Sequence, residues 1–174
     1  FMSKFNVKIT KSKLFKDVKV IQPEPFYDYR GEMWTVWEKD KEVLPDGLEW
    51  KISKFSYSKK NVLRGLHGDN VTWKHISCVY GEIYFLVVDN RPDSPTYLKW
   101  ESYVLSDKNH ISVLVPPSFL NGHLCLSDDC LFHYTQSYPN DYVDIDGQES
   151  IKWNDERLNI NWPIDNPILA LRDK

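Results

Sequence analysis

Short strand-like segments recur along most of this chain, and no long helical stretch separates them. They alternate apolar with polar residues or form short apolar runs, and they are rich in β-branched and aromatic side chains. The segments are VKVIQP (18–23), MWTVWE (33–38), LEWKISKFSYS (48–58), HISCVYGEIYFLVVDNR (75–91), TYLKWESYVLS (96–106) and HISVLVPPSF (110–119). Turn signals rich in proline, glycine and aspartate stand between them. This spacing predicts an all-β sandwich or barrel of the jelly-roll type.

Helix is expected only over WEKDKEVL (37–44) and for a turn or two near NDERLNI (154–160). A length of 174 residues suits one domain with one sizeable core, so we expect residues 1–174 to form a single domain. The segment WPIDNPILALRDK (162–174) carries apolar anchors and two prolines. We therefore expect it to dock on the body of the domain.

Charge and cysteine content argue against several classes of partner. The net charge of -3 gives no electrostatic reason to expect nucleic acid or a membrane surface as a partner. Residues 1–16 are polar and lysine-rich, without the apolar core of a signal peptide. Cys78, Cys125 and Cys130 show no CxxC spacing, which speaks against a disulfide framework or a zinc site. These features favour a cytosolic protein with buried thiols.

One short segment, NVLRGLHGD (61–69), places an arginine and a histidine close together in a strand. In regular alternation His67 shares a strand face with Leu63 and Gly65. Arg64 and Leu66 would then share the other face, unless the glycine bends the strand. The segment raises the question of what a β-rich protein does with these two polar side chains.

The other histidines have less informative surroundings. His110 follows a turn, and we expect it at the solvent-exposed surface. His75 comes directly after Lys74, so the two side chains point to opposite faces of a strand. His123 and His133 lie on later predicted strands and could face inward. A hydrogen-bonded, half-buried side chain explains any one of these histidines taken alone.

A metal site is one alternative. Jelly-roll barrels commonly bind a divalent metal through two or three histidines and a carboxylate, two of the ligands coming from one His-x-His strand. No His-x-His occurs in this chain, and His67 is followed by Gly68 and Asp69. We therefore expect no metal ligands, although a metal-dependent enzyme stays open as an alternative.

Proton transfer is the second possibility. A neutral imidazole at His67 could abstract a proton if a carboxylate held its far nitrogen. Lys74, on the next strand, could stabilise a developing oxyanion, and Tyr134 on the opposite wall could deliver a proton. Such an assembly has the groups needed to invert the configuration of a carbon next to a ketone. Composition and spacing allow this assembly but do not require it.

Five blocks of the sequence carry a resemblance to a known family. They are SKKNVLRGLHGD (58–69), GEIYFLVVDNRPDSPTYLKWESYVLSDKN (81–109), VPPSFLNGH (115–123), IKWNDERLNINWP (151–163) and PILALRDK (167–174). In this order and spacing the chain resembles the dTDP-4-dehydrorhamnose 3,5-epimerase family of nucleotide-sugar epimerases. Within it, RGLHGD and NGH are most similar to the branch that acts on GDP-linked 4-keto-heptoses in bacterial capsule synthesis.

The resemblance implies a metal-free, cofactor-free cupin jelly roll that forms a homodimer with exchanged N-terminal strands. The reaction it implies is epimerisation at C3, C5 or both, next to the C4 ketone. By the same resemblance His67 is the base, Asp173 its orienting carboxylate, Lys74 the oxyanion lysine and Tyr134 the acid.

The resemblance also assigns the substrate's diphosphate to Arg64 and to Arg30, because a guanidinium fork can bind two phosphate oxygens. The chain departs from the family at two places. Phe85 stands where the family usually has an aspartate, and residues 121–123 read Asn-Gly-His instead of His-Gly-Phe. Asn121 and His123 are therefore candidate substrate-binding residues, and the number of carbons inverted stays open.

The expected function is thus a nucleotide-sugar epimerase for a GDP-linked 4-keto-6-deoxyheptose. The alternative within the family is a dTDP-4-keto-6-deoxyhexose 3,5- or 3-epimerase. Two alternatives from other classes are a metal-dependent cupin enzyme and a non-catalytic cupin that binds sugar nucleotides.

Overall fold

The computed structural model describes residues 7–37 and 43–174, which are almost entirely β-structure. The strands are β1 Val7–Lys11, β2 Lys19–Pro23, β3 Phe26–Asp28, β4 Gly31–Met33, β5 Ile52–Lys59, β6 Leu63–Gly68, β7 Trp73–Tyr80, β8 Glu82–Asp89, β9 Trp100–Ser106, β10 Ser112–Val115, β11 Phe119–Cys125, β12 Asp129–Ser137 and β13 Glu149–Ser150. Two 3-10 helices span Ile145–Gly147 and Leu171–Asp173. Within these ranges no helix has the length and apolar character needed to span a membrane.

Two antiparallel sheets form the body of the molecule. One has the order β1-β2-β10-β7-β12-β5, the other has the order β13-β6-β11-β8-β9, and β3 and β4 form a separate hairpin. The main core lies between the sheets and contains buried side chains from both, among them Ile76 and Phe132 from the first and Phe85 and Val87 from the second. The prediction of an all-β jelly roll is confirmed.

Two smaller apolar clusters cover the outer faces of the sheets. Residues 151–162 cover the five-stranded sheet, where Leu158 packs with Leu66, Leu86 and Leu120. Trp100 donates its indole N–H to the Leu158 carbonyl at 2.8 Å, which ties this segment to β9. The helical turn or two expected near NDERLNI is not formed, because this region is a series of non-helical turns.

The prediction of a strand over MWTVWE is wrong. β4 ends at Met33, and residues 34–37 are not in a strand. Trp34 instead stacks on the ring of His110 with centroids 3.9 Å apart, so its apolar character serves packing and not sheet pairing. Of the helix expected over 37–44, residues 38–42 lie outside the described residues, and Val43 and Leu44 are not helical.

His110 is also placed differently from the prediction. It is buried, because Trp34 covers one face of its ring and Nε2 lies 3.1 Å from a carboxylate oxygen of Glu32. A turn position suggested exposure, but the β3–β4 hairpin folds over this turn from a distant part of the sequence. Sequence neighbours alone do not report such a contact.

Strand β6 contains one extra residue relative to its partner β11. His123 pairs with Arg64 and Asn121 pairs with His67, so three steps along β6 match two steps along β11. The extra residue is accommodated at Gly65, whose φ is +120° and whose peptide bond to Leu66 is cis. A bulge of this kind re-aims the side chains that flank it. The glycine therefore does bend the strand, which the sequence left open.

We predict that Gly65→Ala strongly destabilises the fold. A Cβ at Gly65 would lie 2.6 Å from the Gly122 Cα and 2.7 Å from the Asn121 carbonyl oxygen, both backbone atoms that have little freedom to move. Overpacking and the positive φ together should lower the free energy of unfolding by about 3 kcal/mol, measured by urea denaturation.

Gly47→Ala is the matched control. Gly47 also has a positive φ, +82°, but a Cβ there meets nothing within 4 Å. Gly47→Ala should lower the free energy of unfolding by only about 1 kcal/mol, because only the conformational cost applies. Equal losses for the two variants would contradict the proposed close contact between β6 and β11.

Candidate active site

One set of polar side chains, some buried and some exposed, gathers between the inner faces of the two sheets, and this region is called the cleft below. Contacts and charge interactions connect them in two groups, one around His67 and one around Arg64, and the pairing of β6 with β11 places the two groups side by side. The side chains are Lys54 of β5, Arg64 and His67 of β6, Lys74 of β7, Asn121 and His123 of β11, Tyr134 of β12, and Arg172 and Asp173 of the second 3-10 helix. Because of the bulge at Gly65, Arg64 and His67 both reach this cleft, while Leu66 packs in the cluster on the outer face.

His67 and Asp173 form a close pair of titratable groups in the cleft. The His67 Nε2 lies 2.6 Å from a carboxylate oxygen of Asp173, although 106 positions separate the two residues. The C-terminal segment reaches this position because Ile168 forms a parallel bridge with Val62 beside β6. Asp173 is buried there, so the expected docking of the tail is observed.

Arg172 contacts both nitrogens of the same imidazole. Its Nη2 lies against the His67 Nδ1, and its Nε lies 3.2 Å from Nε2. A guanidinium can only donate and a carboxylate can only accept, so the neutral tautomer with its proton on Nε2 would donate to Asp173 and leave the Nδ1 lone pair facing Arg172.

Burial is the largest influence on His67 and lowers its pKa. The Asp173 carboxylate acts in the opposite direction, while the charges of Arg172 and Lys74 lower the pKa further. A pKa below the usual value keeps the imidazole neutral near pH 7, which is the form that can accept a proton.

Lys74 is almost fully enclosed on β7. Its Nζ donates to the Asn121 Oδ1 at 3.3 Å, and this leaves the amide nitrogen of Asn121 as a further donor. Burial lowers the pKa of Lys74, whereas the charge of Asp69 raises it. His75, the next residue, points to the other side and bonds with the Ser112 hydroxyl at 2.7 Å, as the alternation predicts.

Tyr134 faces the cleft from β12, on the wall opposite β6. Its ring lies 5.4 Å from that of Phe132, and it is partly buried against the main core. Burial raises the pKa of Tyr134, and the nearby charges of Lys54 and Arg64 lower it. The phenol is therefore protonated at neutral pH and can serve as a donor.

Arg64 lies along the cleft from His67 and spans the gap to β5. Its Nε donates to the Ser58 hydroxyl at 3.0 Å and its Nη2 to the Tyr57 carbonyl at 3.4 Å. His123 stands behind it, stacked on Phe132 with centroids 4.0 Å apart. Burial, with the charge of Arg64, lowers the pKa of His123 to about 3, so this imidazole is neutral. Its Nε2 is buried and has no hydrogen-bond partner among the described residues.

Arg30 is the one predicted site residue that a single chain does not bring to the cleft. It lies in the turn between β3 and β4, where its guanidinium pairs with Asp28. Glu32 of this hairpin contacts His110, beyond the Ser112 end of β10, whereas Lys74 pairs with Val115 at the other end. The hairpin thus packs at the end of β10 that is remote from the cleft.

Sequence reasoning missed two groups in the cleft, Arg172 and Lys54. Arg172 directly precedes the predicted carboxylate, and only the docked tail shows its contact with His67. Lys54 had a signal in the sequence, because Lys54, Ser56 and Ser58 form a polar row on one face of β5. Over the described ranges, no group of three or more histidine, cysteine, aspartate or glutamate side chains is arranged to hold a metal ion.

Comparison with known proteins gives one consistent family. The sequence model of the dTDP-4-dehydrorhamnose 3,5-epimerase family matches residues 12–174. The dTDP-4-dehydrorhamnose 3,5-epimerase of Salmonella typhimurium is 34% identical over 163 residues, which cover 90% of this chain and 87% of that protein.

Two solved structures are similar over nearly the whole chain. The dTDP-4-dehydrorhamnose 3,5-epimerase of Bacillus anthracis, with TDP and pyrophosphate bound, has a TM-score of 0.87 and 32% identity, covering 97% of each chain. The dTDP-6-deoxy-D-glucose-3,5-epimerase of Legionella pneumophila, in complex with dTDP-4-keto-L-rhamnose, has a TM-score of 0.87 and 29% identity, covering 97% of this chain and 90% of that one.

The contacts of His67 predict opposite effects for its two neighbours. Asp173→Asn removes a charge that favours the imidazolium, so the pKa of His67 should fall further. Arg172→Met removes a repelling cation, so the same pKa should rise. Titration of the His67 ring by NMR measures both changes.

His133 is the internal control in the same spectra. It lies on the outer face of the six-stranded sheet, where it contacts Ser53 and Phe55 and where burial lowers its pKa. Its titration should not change in either variant. A His67 pKa that stays constant in Asp173→Asn would contradict the contact at Nε2.

Proposed function

This chain belongs to the dTDP-4-dehydrorhamnose 3,5-epimerase family and is a nucleotide-sugar epimerase, and we propose that it acts on a dTDP-linked 4-keto-6-deoxyhexose. The observation that carries the proposal is the His67–Asp173 pair, which has Lys74 close by and shares its strand face with Arg64, the neighbour of Tyr134. Relatives named for dTDP sugars support this nucleotide. The GDP-linked heptose of capsule synthesis, expected from RGLHGD and NGH, stays a prediction.

His67 is the proposed base. Its Nδ1 lone pair takes the proton from the carbon next to the ketone, and Asp173 at Nε2 stabilises the imidazolium that forms. For this step the Arg172 guanidinium has to leave Nδ1, which it contacts in the structure. The side chain of Arg172 is about one-third exposed and can turn toward solvent.

Lys74 is the proposed oxyanion group. Loss of the proton places negative charge on the ketone oxygen, and a buried ammonium stabilises this charge more strongly than water does. Asn121, held by Lys74 through its Oδ1, can add a hydrogen bond from its amide nitrogen. Asp69 helps to keep Lys74 charged against the cost of burial.

Tyr134 is the proposed acid that completes the inversion. It projects from the six-stranded sheet, whereas His67 projects from the five-stranded sheet. A proton removed on one face of the sugar can therefore be returned on the other face. Arg64 is proposed to bind the diphosphate, and the neutral His123 beside it to contact the substrate through its buried Nε2.

We further propose that the enzyme is a homodimer in which Arg30 serves the partner's cleft. An apolar patch on the outer face of the six-stranded sheet supports this proposal. Phe55 and Tyr57 of β5 lie beside His133 and Leu131 of β12. Tyr80 of β7 pairs with Leu131 on its other side. Phe55, Tyr57 and Tyr80 are exposed in the single chain. The hairpin that carries Arg30 is also apolar and exposed, with Tyr29 98% accessible.

The dimer predicts a change in mass when the patch is charged. The wild-type protein should have twice the chain mass of 20.6 kDa in light scattering after size exclusion, and Phe55→Glu should shift it toward the monomer. Ile145→Glu, an exposed apolar residue outside the patch, should remain dimeric. A monomeric wild type would overturn the proposal.

The reaction itself is tested by proton NMR in deuterated water with a dTDP-4-keto-6-deoxyglucose. Deuterium at C3 and C5 with new stereoisomers is expected for a 3,5-epimerase, and deuterium at C3 alone for a 3-epimerase. The GDP-linked 4-keto-6-deoxyheptose is the parallel substrate. Turnover of the GDP sugar alone would replace the dTDP proposal, and exchange with neither sugar would contradict both.

Variants assign the roles within the same assay. His67→Asn should lower solvent exchange by at least ~10²-fold, the usual contribution of a general base. Tyr134→Phe should reduce epimerisation much more than exchange, because removal of the first proton does not need the phenol. Tyr84→Phe, on the outer face against Trp162, is the matched control and should keep both activities. Equal loss of exchange and epimerisation in Tyr134→Phe would contradict its role as acid.

A further inference from the structure

Lys54 lies directly opposite Tyr134 in the β5–β12 ladder. The two side chains share the inner face, while Phe55 and Tyr57 on the same strand point outward and are exposed. Lys54 has no role in the proton transfers described above. Its position next to Tyr134, the proposed acid, points to a role in the step that Tyr134 performs.

A defined set of contacts holds the Lys54 ammonium. Nζ donates to the Tyr142 hydroxyl at 2.7 Å and lies 4.3 Å from the centroid of the Tyr142 ring. The hydrogen bond to Tyr142 raises the pKa of Lys54, and the charges of Tyr134 and Asp144 act in the same direction. Lys54 is therefore a fixed positive charge at neutral pH and not a freely moving surface lysine.

The proposed acid needs such a charge. When Tyr134 gives up its proton it becomes a phenolate, and burial disfavours that form. The cations that face Tyr134 are Lys54 from β5 and Arg64 from β6, while Tyr142 opposes ionisation. A diphosphate bound at Arg64 would neutralise much of its charge, and Lys54 would then be the main counter-charge.

We propose that Lys54 is a positioning residue that stabilises the Tyr134 phenolate formed during reprotonation of the substrate. In this step the Tyr134 O–H bond breaks and its electron pair stays on the phenolate oxygen. The proton forms a C–H bond with the enolate carbon, and the ketone C=O bond is restored. The proposal rests on the role of Tyr134 as acid in the proposed function.

The first test follows Tyr134 directly and needs no turnover. With 13Cζ-labelled tyrosine, the Tyr134 signal is assigned by its loss in Tyr134→Phe and is then titrated by NMR. Lys54→Met should move the pKa of Tyr134 upward, because a stabilising cation is removed.

Lys59→Met is the matched control for this titration. Lys59 stands at the end of the same strand, lies 5.2 Å from the centroid of the Tyr57 ring and donates to Asp129 at 2.8 Å. It resembles Lys54 in chemistry but contacts a tyrosine of the outer face. The Tyr134 titration should be unchanged in Lys59→Met, and an unchanged titration in Lys54→Met would overturn the proposal.

The second test uses kinetics in deuterated water. Lys54→Met should lower kcat for epimerisation about tenfold, with a smaller effect on solvent exchange and with KM retained. Lys54→Arg keeps the charge and should restore most of kcat. A raised KM with unchanged kcat would overturn the proposal, since Lys54 would then bind the substrate.

The two tests also separate this proposal from the proposed function. If wild-type protein epimerises no sugar but Lys54→Met still moves the Tyr134 pKa, the function and the catalytic use of Lys54 both fail while the charge coupling stands. If the wild type is active and the Tyr134 pKa does not move, only the proposal for Lys54 fails.

Discussion

The close approach of two glycines decides which side chains can reach the cleft. Gly65 of β6 and Gly122 of β11 lie so near each other that a Cβ on Gly65 would meet the Gly122 backbone at 2.6 Å. The extra residue of β6 is accommodated at this point, and Arg64 and His67 therefore share a face. In a regular strand an odd separation would direct the two side chains to opposite faces. The site depends on this one irregularity.

The charge distribution of the cleft suits an anionic substrate and an anionic intermediate. Four cationic side chains, Lys54, Arg64, Lys74 and Arg172, are found there together with the carboxylates of Asp69 and Asp173. An excess of positive charge between low-dielectric walls attracts anions and strengthens each interaction within the cleft. Burial is the main cause that lowers the pKa of His67 and keeps the proposed base neutral, and the charges of Arg172 and Lys74 act in the same direction.

The departures from the family pattern are compatible with this arrangement. Phe85 pairs with His123 across β8 and β11, and both are buried. His123 stacks on Phe132 and is neutral, so this part of the core holds aromatic rings and no charge. A carboxylate at position 85 would need a charged or hydrogen-bonding partner in the core. Asn121 takes the hydrogen bond from Lys74 without adding a charge. Substitution of both family residues thus avoids an unpaired buried carboxylate.

The sequence by itself determined the class of fold, because alternation of apolar and polar residues is a local property of each strand. The family resemblance named His67, Lys74, Tyr134 and Asp173 and made Asp173 the orienting carboxylate of His67. Only the tertiary structure decided that this carboxylate meets Nε2 of His67, a contact that spans 106 positions. It also buried His110 under Trp34 and placed Lys54 against Tyr134 and Tyr142. Such contacts depend on strand order, on the bulge at Gly65 and on the docked tail, and these result from the packing of distant segments, to which local patterns are insensitive.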